Sequence, residues 1–109
     1  MTVSELQSAL SLIPVALPEA DREVEGAYIG DLLSWVMGRA QGGNAWLTIM
    51  SNLNIVAVAT LSDVSCIILC EGVTLEENVR NTAEAKGVNI LATDLTAYDM
   101  AKHLAELGL

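Results

Sequence analysis

Phenylalanine is absent from this chain, histidine occurs once, and cysteine and proline occur twice each. Lysine and arginine together number five against 14 acidic residues, a formal net charge of −9. Each scarcity removes a class of chemistry. The single histidine, His103, falls in the expected last turns of a C-terminal helix, far in sequence from any serine, cysteine or paired carboxylate. A Ser–His–Asp triad therefore has no partners to draw on, and the helix dipole favours a histidine at that position anyway. Cys66 and Cys70 lack the Cys-x-x-Cys spacing. Four residues apart in one strand, they are separated by roughly 13 Å, too far for a disulfide. That pattern suits a reducing cytoplasm. A zinc site would need ligands the chain does not carry, so no metal and no cofactor is expected. No GxxxxGK[ST] or GxGxxG phosphate-binding loop occurs.

The shortage of basic residues bears on partners. A uniformly acidic small protein repels phosphate backbones, which argues against nucleic acid. Anionic membrane surfaces are disfavoured for the same reason. Residues 1–10 carry Glu5 and no basic residue, unlike a signal peptide. The longest apolar stretch, Ala45 to Leu61, is interrupted by Ser51, Asn52 and Asn54, so no membrane span is expected.

Apolar residues, by contrast, are abundant at 52% of 109 residues. That length fits one domain, residues 1–109. A domain of this size buries only about 60–70% of its unfolded surface. Some apolar surface should then remain outside the monomer core, and a homodimer face is the simplest outlet. Trp35, Met37 and Trp46 are the candidate dimer contacts, Trp35 and Trp46 being equally at home in a core.

Along the chain, Thr2 or Ser4 is placed to cap a short first helix. Ile13 to Leu17, bounded and interrupted by proline, reads as an edge strand. Val24 to Ile29 reads as a strand, with Asp31 as N-cap of a helix Leu32–Ala40 that is apolar nearly all round and hence buried, in the core or in a partner. Ala45 to Met50 is a continuous apolar strand. The next segment, Ile55 to Leu61, favours a strand by propensity. The Ser/Asn start and the need for a crossover favour a helix, which is the reading adopted. Ser65 to Cys70 is a second buried strand. Thr74-Leu75-Glu76-Glu77 matches a capping box, with Glu76 and Arg80 spaced as a helical ion pair and Gly87 as the stop. Val88 to Ala92 is a third strand, and Thr96 with Asp99 caps the last helix. Three strand–helix units with apolar strands predict an α/β domain of three layers, its mostly parallel sheet covered by helices.

In such a sheet ligands gather at the carboxyl ends of the strands. Three loops should meet there: Ser51–Asn54, Cys70–Thr74 and Thr93–Thr96. The candidate ligand-binding residues are Ser51, Asn52, Asn54, Cys70, Glu71, Gly72, Thr74, Thr93, Asp94 and Thr96. Each loop leads into a helix N-terminus that favours an anion, although Glu71 and Asp94 add negative charge to the same rim. Ordinary helix capping accounts for serine, asparagine and threonine at such positions as well. Cys70, at a strand end near a helix N-terminus, is the better placed of the two thiols for reactivity, and a buried strand cysteine is the alternative. No residue is assigned a catalytic role.

The segments Gly26-Ala27-Tyr28-Ile29-Gly30-Asp31-Leu32-Leu33, Asn54-Ile55-Val56-Ala57-Val58-Ala59, Ile67-Ile68-Leu69-Cys70-Glu71-Gly72 and Gly87-Val88-Asn89-Ile90-Leu91-Ala92-Thr93 resemble the DRTGG domain over about residues 25–104. The resemblance implies an α/β fold similar to the N-terminal domain of HPr kinase/phosphorylase, without its kinase domain. It also implies a regulatory or dimerising role, as in phosphotransacetylases and CBS-containing pyrophosphatases, and for stand-alone members a link to iron hydrogenase. The Asp-Arg-Thr-Gly-Gly sequence itself is absent. Ser51–Asn54 stands in the corresponding loop, and Cys70-Glu71-Gly72 replaces a Thr-Gly-Gly-like turn. The expected function is a non-catalytic regulatory or interaction module, homodimeric or bound to a partner protein. The alternative is a sensor of a nucleotide or phosphorylated metabolite at the strand ends.

Overall fold

The computed structural model describes residues 1–109. Strands run over Ile13–Ala16 (β1), Gly26–Ile29 (β2), Asn44–Thr48 (β3), Cys66–Leu69 (β4) and Ile90–Ala92 (β5). Helices run over Val3–Ala9 (α1), Leu33–Arg39 (α2), Asn54–Ser62 (α3), Glu77–Lys86 (α4) and Ala97–Glu106 (α5). The strands form one sheet in the order β1-β5-β4-β3-β2. β2 to β5 are parallel, and β1 pairs antiparallel with β5 at the edge.

Every residue of β3 and β4 is buried. Successive side chains of a strand point to opposite faces, and this alternation sorts the core into two halves. Trp46, Ile67, Leu69 and Ile90 meet Val36 of α2, Ile55, Val56 and Ala59 of α3, and Val79 and Ala83 of α4. Ala45, Leu47, Cys66, Ile68 and Leu91 meet Val3 and Leu6 of α1 and Met100 and Leu104 of α5. The predicted three-layer α/β domain with a mostly parallel sheet is the fold observed.

The ambiguous segment Ile55 to Leu61 lies in a helix, α3. Parallel β3 and β4 need a crossover between them, and that requirement overrides the strand propensity of the β-branched residues. The Asn52 Oδ1 accepts a hydrogen bond from the Asn54 amide at 2.9 Å, opening the helix. Asp63, left-handed at φ 56°, closes it.

Three expectations change. Helix α2 is not enclosed: Val36 is its single buried residue, and Leu32, Trp35 and Met37 are 58%, 53% and 48% exposed. Asp31 does not cap it. Its carboxylate instead accepts from the Thr48 hydroxyl at 2.8 Å and the Ile49 amide at 3.0 Å, tying the loop after β2 to the end of β3. Nor does Thr74 cap α4, which begins at Glu77 with an extended Glu76 as N-cap. Leu75 packs against the core before the helix starts, and this contact holds the chain out of helical geometry at the capping-box position.

Asn89 fastens the N-terminal segment to the sheet. It is 1% exposed. Its Oδ1 accepts from the Glu19 amide at 2.9 Å, and its Nδ2 donates to the carbonyls of Glu19 at 2.8 Å and Ser65 at 2.9 Å. Removing such a side chain leaves buried backbone groups unpaired. Asn89→Ala is expected to lower unfolding stability by about 1–3 kcal/mol, read from urea denaturation.

Candidate functional site

The parallel strands place the loops after β3, β4 and β5 along one edge, as expected. They do not form a single pocket. One groove of about 510 Å³ lies between β1 and the start of α4, lined by Gly72, Val73, Thr74, Leu75, Glu77, Arg80, Ala92, Thr93 and Asp94, with Ile13 and Val15 as its outer wall. A second, of about 580 Å³, is lined by Ile49, Met50, Ser51, Asn52 and Leu53 on one side and Thr74, Glu76, Asn78 and Val79 on the other. Thr74 is the rim shared by both.

The candidate ligand residues therefore separate. Gly72, Thr74, Thr93 and Asp94 line the first groove; Ser51, Asn52 and Thr74 line the second. Asn54 faces a third hollow, beside Ala57 and Leu61. Cys70, Glu71 and Thr96 line neither of the first two grooves. Some polar groups are already engaged. The Thr96 hydroxyl accepts from the Asp99 amide at 3.2 Å, and the Thr93 hydroxyl accepts from the Leu95 amide at 3.2 Å.

The loops after β4 and β5 are laced together by backbone bonds. The Glu71 amide donates to the Leu95 carbonyl at 2.8 Å and the Gly72 amide to the Thr93 carbonyl at 3.0 Å. This requires two consecutive residues at positive φ, Glu71 at 61° and Gly72 at 74°. Gly72 has a second reason to lack a side chain: a Cβ there would stand 3.3 Å from the Asp94 carboxylate oxygen. The floor of the first groove thus depends on this glycine.

Residues that the sequence reading did not single out for the site are Ile13, Val15, Leu75, Glu77 and Arg80. The β1–β5 pairing joins residues nearly eighty positions apart, and no local signal announces it. The spacing of Glu76 and Arg80 predicts a helical ion pair. That pair does not form: the side-chain ion pair made by an arginine is Arg22–Asp63 at 3.1 Å.

The dimer-contact candidates also divide. Trp46 is fully buried, and its Nε1 donates to the Gly30 carbonyl at 2.8 Å. It is a core residue and cannot touch a partner. Trp35 and Met37 face outward on α2, with the Arg39 guanidinium 3.7 Å from the Trp35 ring centroid.

Cys70 is buried, and its Sγ donates to the Ile68 carbonyl at 3.7 Å. Burial, with Glu71 and Asp31 adding to it, pushes its thiol up to about 11, and burial pushes Cys66 up to about 12. The thiolate, which is the reactive form, is therefore disfavoured at both. No group of three or more His, Cys, Asp and Glu side chains is arranged to hold a metal ion, and no helix is long and apolar enough to cross a membrane.

The DRTGG domain family matches residues 20–107 of the 109. The chain belongs to the DRTGG domain family. No curated protein matches it in sequence. Among solved structures it is similar to the CBS and DRTGG domains of the regulatory region of Clostridium perfringens pyrophosphatase, complexed with an activator, diadenosine tetraphosphate. The TM-score is 0.73 at 14% identity, over 94% of this chain and 45% of that one. This chain therefore spans less than half of the pyrophosphatase regulatory region, and the likeness is one of fold. The family match begins at residue 20, after α1 and β1, so the Ile13–Val15 wall of the first groove lies outside it.

Two outcomes test this geometry. Gly72→Ala forces a side chain into left-handed backbone and against Asp94, and should cost about 1–2 kcal/mol in thermal or urea unfolding. Both native thiols should stay unreactive toward a disulfide-exchange reagent at pH 8 and react only on unfolding. Because each folded thiol is held above the ordinary 9.0, the stability this confers is present below pH 9 and is lost as pH rises through about 11 to 12.

Proposed function

We propose that this DRTGG domain is a non-catalytic regulatory module that acts by associating with a second copy of itself through α2 and α3. The observation that carries the reading is the exposure of Leu32, Trp35 and Met37 on a helix that buries only Val36 in its own chain. On α3, which packs beside α2, Leu53 and Leu61 are a further 47% and 74% exposed, in a hollow shared with Thr82 and Lys86 of α4. Charge supports the choice of partner. Residues 32–39 and 53–62 contain Arg39 and no acidic residue, in a chain of net charge −9. Two identical acidic chains repel unless they meet where carboxylates are missing. The absence of an activated nucleophile supports a non-catalytic role. The family resemblance alone supports a setting in hydrogenase or energy metabolism, and a reducing compartment fits two free buried thiols.

A second reading is a small-molecule sensor, favoured by the groove between β1 and α4. Its volume of about 510 Å³ falls among ordinary small-molecule sites, which run from about 300 to 1,000 Å³. The similar pyrophosphatase region was crystallised with a nucleotide activator, which supports a ligand-responsive module of this fold.

Sedimentation velocity decides the first reading. The wild-type chain should sediment with the mass of two chains, and a Trp35→Glu/Met37→Glu double variant with the mass of one and an unchanged circular dichroism spectrum. A wild-type protein that is monomeric at high micromolar concentration overturns it.

A further inference from the structure

We propose that the groove between β1 and α4 takes a small zwitterion with an aliphatic body, of the α-amino acid class, rather than a phosphorylated ligand. This rests on the sensor reading and names its ligand.

Of the five basic residues, four are engaged or lie elsewhere. Arg22 is paired with Asp63. Arg39 lies over Trp35, and Lys102 lies 5.5 Å from the Tyr98 ring centroid. Lys86 ends α4 and lines a small hollow with Arg22, Asp63 and Gly87, which the first groove does not share. Arg80 alone lines the groove, and it has no ion-pair partner there within 4 Å. Glu77 and Asp94 line the same groove. One guanidinium and two carboxylates cannot hold a nucleotide's phosphates, which carry several negative charges. They would repel such a ligand more than they attract it.

The same three groups suit a ligand carrying one charge of each sign. A guanidinium binds a carboxylate through two parallel hydrogen bonds. Glu77 and Asp94, as acceptors, suit an ammonium. The remaining wall is apolar: Ile13 and Val15 of β1, with Leu75 opposite. A branched aliphatic side chain fits against that wall, since small-molecule sites combine an apolar lining with a few placed polar groups. Ile13 is 56% exposed without such a ligand, so covering it removes apolar surface from water.

Isothermal titration calorimetry on the full chain tests the assignment. The probes are L-leucine, 4-methylpentanoate, 3-methylbutylamine, ATP and diadenosine tetraphosphate. L-leucine should bind, and each analogue carrying only one of its two charges should bind about 10- to 100-fold more weakly. Arg80→Gln and Asp94→Asn, both at exposed positions, should weaken L-leucine by a comparable factor while keeping the wild-type melting temperature. Binding of ATP or diadenosine tetraphosphate without L-leucine overturns the zwitterion assignment and leaves the sensor reading standing. Equal binding of L-leucine and 4-methylpentanoate also overturns it. If none of the five binds, the sensor reading falls together with it.

Discussion

Strands β3 and β4 are buried along their whole length and on both faces. That constraint organises everything else. A sheet buried on both sides needs helices above and below, and parallel neighbours need a crossover between each pair. The chain meets both demands with α2, α3 and α4 on one face and α1 and α5 on the other. The same demand overrides the local preference of Ile55 to Leu61 and makes that segment a helix. It also consumes Trp46, whose bulk fills the face shared with Ile67 and Ile90 while its indole N–H is satisfied by the Gly30 carbonyl.

Because the crossovers all return in the same direction, the loops after β3, β4 and β5 open at one edge. What they form there is decided by residues outside the repeating plan. Residues 1–19 precede the family match, yet they supply β1 and, with Val3, Leu6 and Leu12, part of the core beneath α5. Antiparallel β1 stands beside β5 with a register shift between Pro14 and Ala16. Its exposed Ile13 turns an open loop edge into a groove. Asn89, reaching from the start of β5 to both the N–H and C=O of Glu19, holds that added segment in place.

The sheet was legible in the sequence because buried strands read as unbroken apolar runs, and the caps at Thr2 and Thr96 were legible because each makes the expected bond to the third residue of its helix. The failures share a cause. Local patterns name a residue's possible role, and long-range packing selects among them. Trp35 and Trp46 are equivalent by type; the β3–β4 register buries one, and a short helix with little to pack against exposes the other. Thr74-Leu75-Glu76-Glu77 has the right letters for a capping box, but Leu75 is drawn to the core and the helix starts later. The loops after β3, β4 and β5 lie along one edge of the parallel sheet, as its topology requires. Their division into two grooves, and the entry of Arg80 into one of them, followed from the pairing of β1 with β5, a contact between distant residues that the local signals for β1 and α4 do not carry.

The groove and helix α2 belong to one layer of helices. α4 borders the groove, α3 packs against α4, and α2 packs against α3. A ligand that favours one placement of α4 against α3 therefore acts on the same packing that presents Trp35 and Met37. Communication across such a layer requires two arrangements that both events distinguish. Where that condition holds, thermodynamic linkage fixes the rest: a ligand that tightens self-association by some factor must itself bind the pair more tightly by the corresponding factor. Residues 32–39 and 53–62 carry no acidic side chain, so under the proposed self-association the apolar contact area, rather than carboxylate repulsion, would set its strength, and a repacking of α3 would change that area.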